Sequence, residues 1–216
     1  MKTFFKKYKH AWVFTYFLIY LPWFYYLEKT VTTNYTLIEL PIDRQIPFIE
    51  YFIIPYFLWF PFVAVTVLYF FFKDKKEFYR LALISAIGMT LFLVISTVWP
   101  NGQALRPTYF ETDNIFVDMV RKLYDTDTPT NIFPSIHVYN TLACFIAIRK
   151  SVHLKNIYWV QSLNWILSTL IILSTVFLRQ HSILDGIAAG VFIWIAYVFI
   201  YADEYKSEHV FHRLPI

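Results

Sequence analysis

The sequence predicts an all-α protein, a bundle of six transmembrane helices with both termini cytoplasmic. Three observations lead there. Hydrophobic residues fill 58% of the 216 positions and aromatic ones 22%, while only 16% are charged, well below the quarter usual in soluble domains. The apolar residues gather into runs of about 20, the length that crosses a hydrocarbon layer of ~30 Å. The basic residues sit in short clusters between those runs, a pattern that excludes a nucleic-acid surface.

Reading from charge to charge places the helices at roughly 10–27, 51–72, 81–99, 131–148, 157–178 and 183–202. The first follows a basic start, Lys2 to Lys9. Its end, "YLPWFYYLEK", offers no small-residue cleavage site, so an uncleaved span is expected. Pro55 and Pro61 are expected to kink the second, with neighbouring helices satisfying the freed carbonyls. Segment 28–50 holds Pro41, Pro47 and mixed charges, and reads as an external loop at the interface. Between the third and fourth spans, Phe116, Met119, Val120 and Leu123 recur at helical spacing among charged residues, which predicts an interfacial helix. In the sixth span, Gly186 and Gly190 form a G-x-x-x-G pattern suited to close packing within the monomer. No internal repeat or low-complexity stretch divides the chain, so residues 1–216 read as one domain.

Lysine and arginine placement sets the expected orientation. With the N-terminus inside, inner segments hold thirteen of the 19 basic residues and outer segments the other six. The loop 100–130, the start of the fourth span and the turn 179–185 then share the extracytoplasmic face. His10, His153, His209 and His212 fall on the inner side and read as interfacial or tail residues. The single cysteine, Cys144, excludes an intramolecular disulfide and a cysteine-based metal cluster. Asp125 and Asp127 supply too few carboxylates for a metal cage, so neither metal nor cofactor is expected.

Three stretches on the outer face carry chemistry. "FLRQHSILDG" puts His181 four residues before Asp185, on one helical face. A carboxylate on one imidazole nitrogen fixes the tautomer and raises the basicity of the other, which turns histidine into a nucleophile or base. "NIFPSIHVYN" puts Pro134 in a first helical turn, with Ser135 and His137 beside an N-terminus whose dipole favours anions. "WPNGQALRPTYF" adds Arg106, and the "FLRQH" turn adds Arg179, guanidiniums whose planar fork suits phosphate oxygens. Singly, each stretch would read as a helix cap or a surface ion pair. Together they suit phosphoryl transfer without a metal: one histidine attacks phosphorus, the other protonates the leaving oxygen, and cations hold the equatorial oxygens.

In order, "LRP", "PSIH" and "FLRQHSILD" resemble the three motifs of the type 2 phosphatidic acid phosphatase (PAP2) superfamily, K-x6-R-P, P-S-G-H and S-R-x5-H-x3-D. The resemblance implies that Arg106 binds phosphate, Ser135 hydrogen-bonds it, His137 is the general acid, His181 the nucleophile, and Asp185 orients His181. It departs at three places. Trp99 stands where the first lysine falls, Ile136 replaces the glycine, and Ser174–Thr175 replaces Ser-Arg. Arg179, two residues before His181, is read as partial compensation for the missing cations. The forms P-S-hydrophobic-H and x-Q-H are similar to a branch containing inositol phosphorylceramide and sphingomyelin synthases. The implied protein is a multi-pass cell-membrane enzyme, a metal-independent lipid phosphate phosphatase working through a phosphohistidine on the extracytoplasmic side. The alternative is a headgroup transferase that passes a phospho-headgroup to a lipid alcohol. Its partners would be the bilayer and a lipid phosphate, and no nucleic acid.

Overall fold

A computed structural model describes residues 7–202. The outermost basic residues behind the orientation reading (Lys2, Lys6, Lys206 and Arg213) lie outside the described residues, as do His209 and His212. Seven α-helices run in order: α1 Phe17–Thr30, α2 Ile53–Lys73, α3 Lys75–Val98, α4 Ile115–Thr126, α5 Ile136–Lys150, α6 Tyr158–Phe177 and α7 Ile183–Ile200. Two short parallel strands, β1 Thr36–Leu37 and β2 Asn101–Gly102, join the loops after α1 and α3.

Among the described residues four helical stretches are long and apolar enough to cross a membrane: Glu50–Lys73, Lys75–Val98, Tyr158–Phe177 and Ile183–Ile200. The other two expected spans are shorter as α-helix. Residues Lys9–Tyr16 wind as a 3-10 helix, leaving 14 α-helical residues in α1. The fourth begins at Ile136 instead of 131 and has 15 residues. Its start is delayed because Ser135 caps it, so Pro134 precedes the helix and does not occupy its first turn as expected. The third begins six residues early, at Lys75. Asp74 accepts the main-chain N–H groups of Lys76 and Glu77 at 2.8 and 3.0 Å, a cap that carries the helix through a charged stretch. α2 remains helical through Pro61.

α5 is the hub, packed against α2, α3, α6 and α7. Its buried side chains, Tyr139, Ala143, Cys144 and Ala147 among them, join Phe70, Phe78, Leu81 and Ile84 in the main core. The Tyr139 hydroxyl donates to the Ile84 carbonyl at 3.0 Å. Its ring covers Gly88 so closely that a Cβ there would sit 2.1 Å from a ring carbon, so this crossing of α3 and α5 accepts only glycine. The G-x-x-x-G pattern does not make the comparable contact expected of it. Gly186 faces Val138 at 3.9 Å, and Gly190 meets nothing within 4 Å. His10 also departs from the interfacial reading: it is buried, its ring tilted against that of Phe71 with centroids 4.4 Å apart and Nε2 2.9 Å from the Phe71 carbonyl.

Segment 28–50 is more than a covering loop. α1 continues to Thr30, and the chain then pairs with β2, where the N–H of Ile38 meets the Gly102 carbonyl at 2.7 Å. It next turns Asp43 inward, 2% exposed, and docks on the end of α6 through Ile49 N–H to Phe177 O at 3.1 Å. α4 is amphipathic as predicted, with Val117, Val120 and Leu123 buried. Val120 and Leu123 meet Ile53, Tyr56 and Leu178, which holds α4 against α2 and the turn after α6.

Candidate active site

The first histidine is placed by the start of α5. The Ser135 hydroxyl oxygen accepts the Val138 N–H at 3.3 Å, and the Ser135 N–H donates to the Asp185 carbonyl at 3.2 Å. This ties the start of α5 to the start of α7. One turn in, the His137 ring lies between Tyr56 and Trp59, with centroids at 4.8 and 4.5 Å. The Trp59 indole N–H donates to the His137 carbonyl at 3.2 Å.

The second histidine comes from the turn between α6 and α7. Arg179 takes a left-handed conformation, φ 50°, and the N–H groups of Gln180 and His181 both converge on the Thr175 carbonyl at 3.0 Å. The chain thereby reverses within four residues and delivers His181 to the helix start. His181 Nδ1 lies 3.3 Å from Asp185 Oδ2, which also accepts the Ser182 N–H at 2.9 Å. Because a carboxylate only accepts, the Nδ1 facing it carries a proton, and in the neutral imidazole the lone pair is then on Nε2. Asp185 is fully buried and its Oδ1 has no partner. The rings of His137 and His181 meet edge-on at 5.7 Å.

Arg106 is joined to this pair through Gln180. Its Nη2 donates to Gln180 Oε1 at 2.5 Å and to the Thr128 carbonyl at 3.2 Å. Its Nη1 donates to the carbonyls of Tyr124 and Asp127 at 3.2 and 2.7 Å. The guanidinium lies 4.5 Å over the Tyr124 ring. Burial pulls its pKa below the usual arginine value, against the pull of Asp127, Tyr124, Tyr56 and Glu28, and it stays charged. Burial pushes the Asp127 carboxyl upward, opposed by Arg106 and reinforced by Glu28. Arg179 is differently engaged: Nη1 and Nη2 donate to the carbonyls of Leu105 and Ile46 at 3.3 and 3.0 Å. Neither vacant cation position is filled. Trp99 bonds Thr36 Oγ1 at 3.0 Å, and the Thr175 hydroxyl donates to the Ile172 carbonyl at 2.8 Å.

Thus all six residues singled out from sequence lie in one constellation, with His137, His181 and Asp185 at its centre and Ser135 beneath. Arg106 stands at its edge, and Arg179 braces the surrounding loops. Several organising residues escaped the sequence reading. Asp43 takes the Ser182 hydroxyl at 2.6 Å and the N–H groups of Leu40 and Ile183 at 2.7 and 2.9 Å, so a buried carboxylate sits at the positive end of α7. Asn101 Oδ1 accepts the N–H groups of both Ile132 and Phe133 at 2.9 Å, fixing the approach to Ser135. Gln103 donates Nε2 to the Arg179 carbonyl at 3.0 Å and accepts the Leu105 N–H. Glu28 holds Thr128 Oγ1 and Asn131 Nδ2 at 2.6 and 3.1 Å. The only signal for Asp43, Asn101 and Gln103 was polarity in the stretches "PIDRQ" and "PNGQ", and for Glu28 a single charge in "YLEK", next to apolar runs.

An imidazole with a free nitrogen, a second imidazole one ring away and a guanidinium alongside can attack, protonate and neutralise at a tetrahedral anion. No curated protein and no solved structure matches the chain. A profile of the PAP2 superfamily, whose members are phosphatases and phosphotransferases, matches residues 101–208. That interval is half of the chain and contains both histidines, Asp185 and Arg106, and on these grounds the chain belongs to the PAP2 superfamily.

Proposed function

We propose that the protein is an integral membrane lipid phosphatase, hydrolysing a phosphomonoester or diphosphate headgroup at the extracytoplasmic face. α1 with its preceding 3-10 turn, and α5 with residues 131–135, complete a six-span bundle with both termini cytoplasmic. In the cycle, His181 Nε2 attacks phosphorus and the bond to the leaving alcohol breaks. His137 gives that oxygen its proton. Water then attacks the phosphohistidine, His137 takes the water's proton, and phosphate leaves. Asp185 holds His181 in the reactive tautomer, and Ser135 and Arg106 contact the phosphate. No metal takes part. The observation that carries this reading is the buried His181–Asp185 pair with the His137 ring 5.7 Å away.

A second reading has its own support. Arg179 is braced on loop carbonyls and the two other cation positions hold Trp99 and Thr175, so Arg106 stands as the guanidinium beside the histidines. One cation matches the single charge of a phosphodiester better than the near-double charge of a monoester. The intermediate would then be intercepted by a lipid alcohol, as in a headgroup transferase. Purified protein incubated with a lipid panel separates the two: free phosphate marks the phosphatase, a new phosphodiester lipid the transferase, and neither product refutes both. In either case His137→Ala should slow poor leaving groups far more than activated aryl esters, because only the former need a proton. Equal losses on both would remove His137 from the acid role.

A further inference from the structure

Gln180 is 2% exposed, which is unusual for a glutamine at a turn. Its amide orientation is dictated by its neighbour. A guanidinium only donates, so the atom facing Arg106 Nη2 must be Oε1, and Nε2 points elsewhere. That Nε2 is buried and has no partner, and Arg106 Nε is in the same state. Leaving such a donor unmet forfeits the hydrogen bond it would make to water. The backbone does not require this side chain, because the turn is held by the main-chain N–H of Gln180 on the Thr175 carbonyl. Two unmet donors therefore stand together, one on the residue immediately before His181 and one on the guanidinium it touches.

We propose that Gln180 is a substrate-binding residue whose Nε2–H donates to a phosphate oxygen, in concert with Arg106 Nε–H, while its Oε1 fixes the guanidinium. It takes the place among phosphate ligands that the sequence offered to Arg179. This rests on the reading of the site as a phosphate site. The same amide accepts from the cation on one side and donates to the anion on the other, so it orders both without adding charge.

Two variants of the full chain, purified in detergent, test this with orthovanadate as a tetrahedral oxyanion probe. Gln180→Glu keeps an acceptor for Arg106 and deletes the donor. Gln180→Met deletes both at similar volume. Vanadate binding is followed by titration, and folding by the melting temperature without vanadate. The expected result is binding by the wild type and a roughly 10- to 100-fold loss in each folded variant, with Gln180→Glu melting no lower than the wild type. Were the role only to anchor Arg106, the loss in Gln180→Glu would come from its added negative charge alone and would be largely erased at high ionic strength, whereas a missing donor keeps the loss. Retention by any folded variant, or a wild type that binds no vanadate, overturns the proposal. Failure of the proposed function reads differently: vanadate binds and the variants lose it, yet the wild type yields neither phosphate nor a new lipid.

Discussion

The bundle carries a histidine–aspartate contact at each end. His181 meets Asp185 at 3.3 Å where α7 begins, and His153 meets Asp74 at 3.4 Å where α3 begins. Both aspartates also receive main-chain N–H groups at a helix N-terminus. The surroundings differ. The side chains of His181 and Asp185 are 10% and 0% exposed, against 35% and 28% for His153 and Asp74. Asp185 keeps an unpartnered buried oxygen, and a second imidazole and a guanidinium stand close by. Asp74 is a solvated cap, its pKa pulled down mainly by the Glu77 N–H, with His153 adding less. The lesson is that a His–Asp pair becomes a candidate reaction centre through desolvation and convergence with other groups, not through the contact itself.

The largest test of this contrast is loss of the imidazoles. His181→Ala should reduce turnover by roughly 10⁴-fold or more, while His153→Ala leaves turnover of the same lipid unchanged. Comparable losses at both ends would break the distinction. Next, Asp185→Asn should lower kcat by about 10³-fold through the wrong tautomer. Asp74→Asn keeps a capping oxygen but loses the charge at the start of α3, so it should spare kcat and lower stability by roughly 0.3–1 kcal/mol, read as a lower Tm. The pH dependence sharpens this point. Because the folded pKa of Asp74 is depressed, its contribution is complete above the ordinary aspartate range and is lost as pH falls through the lower folded value. The Tm difference between wild type and Asp74→Asn should therefore shrink on acidification.

A stability effect without loss of binding is expected at Asp43, which braces the active end only. Asp43→Ala leaves the donors of Leu40, Ser182 and Ile183 unmet and should cost roughly 1–3 kcal/mol of stability. Below the melting transition the variant should retain vanadate binding within a few fold. An intact Tm would show that the Asp43 contacts contribute nothing to holding segment 28–50 on α7.

The motif residues were legible because their chemistry survives without neighbours: Ser135–Ile136–His137 straddles a cap, and His181 still meets Asp185, although it stands just before the Ser182 cap of α7 and not on the helix whose first turn carries Asp185, as the four-residue spacing had suggested. Hydropathy located the four long apolar helices of the described residues, but it was blind to what starts and ends the helical segments. Asp74 extends α3 into a charged stretch, and Ser135 shortens α5. Asp43 reads as a loop charge because its donors lie about 140 residues away in sequence. Arg179 shows a related limit of spacing. Spacing puts it near the phosphate, whereas its left-handed backbone and the carbonyls of Leu105 and Ile46 decide where its nitrogens end.

One hydrogen bond, from the main chain of Ser135 to that of Asp185, couples the two histidine-bearing helices without using any side chain. That bond ties the two backbones together, while Tyr56, Trp59 and Asp185 hold the rings that the backbones carry. The connecting segments 38–50 and 103–130 reach the centre instead through side chains such as Asp43, Gln103 and Arg106, so substitutions there change what surrounds the two histidines and leave the main-chain tie between α5 and α7 in place.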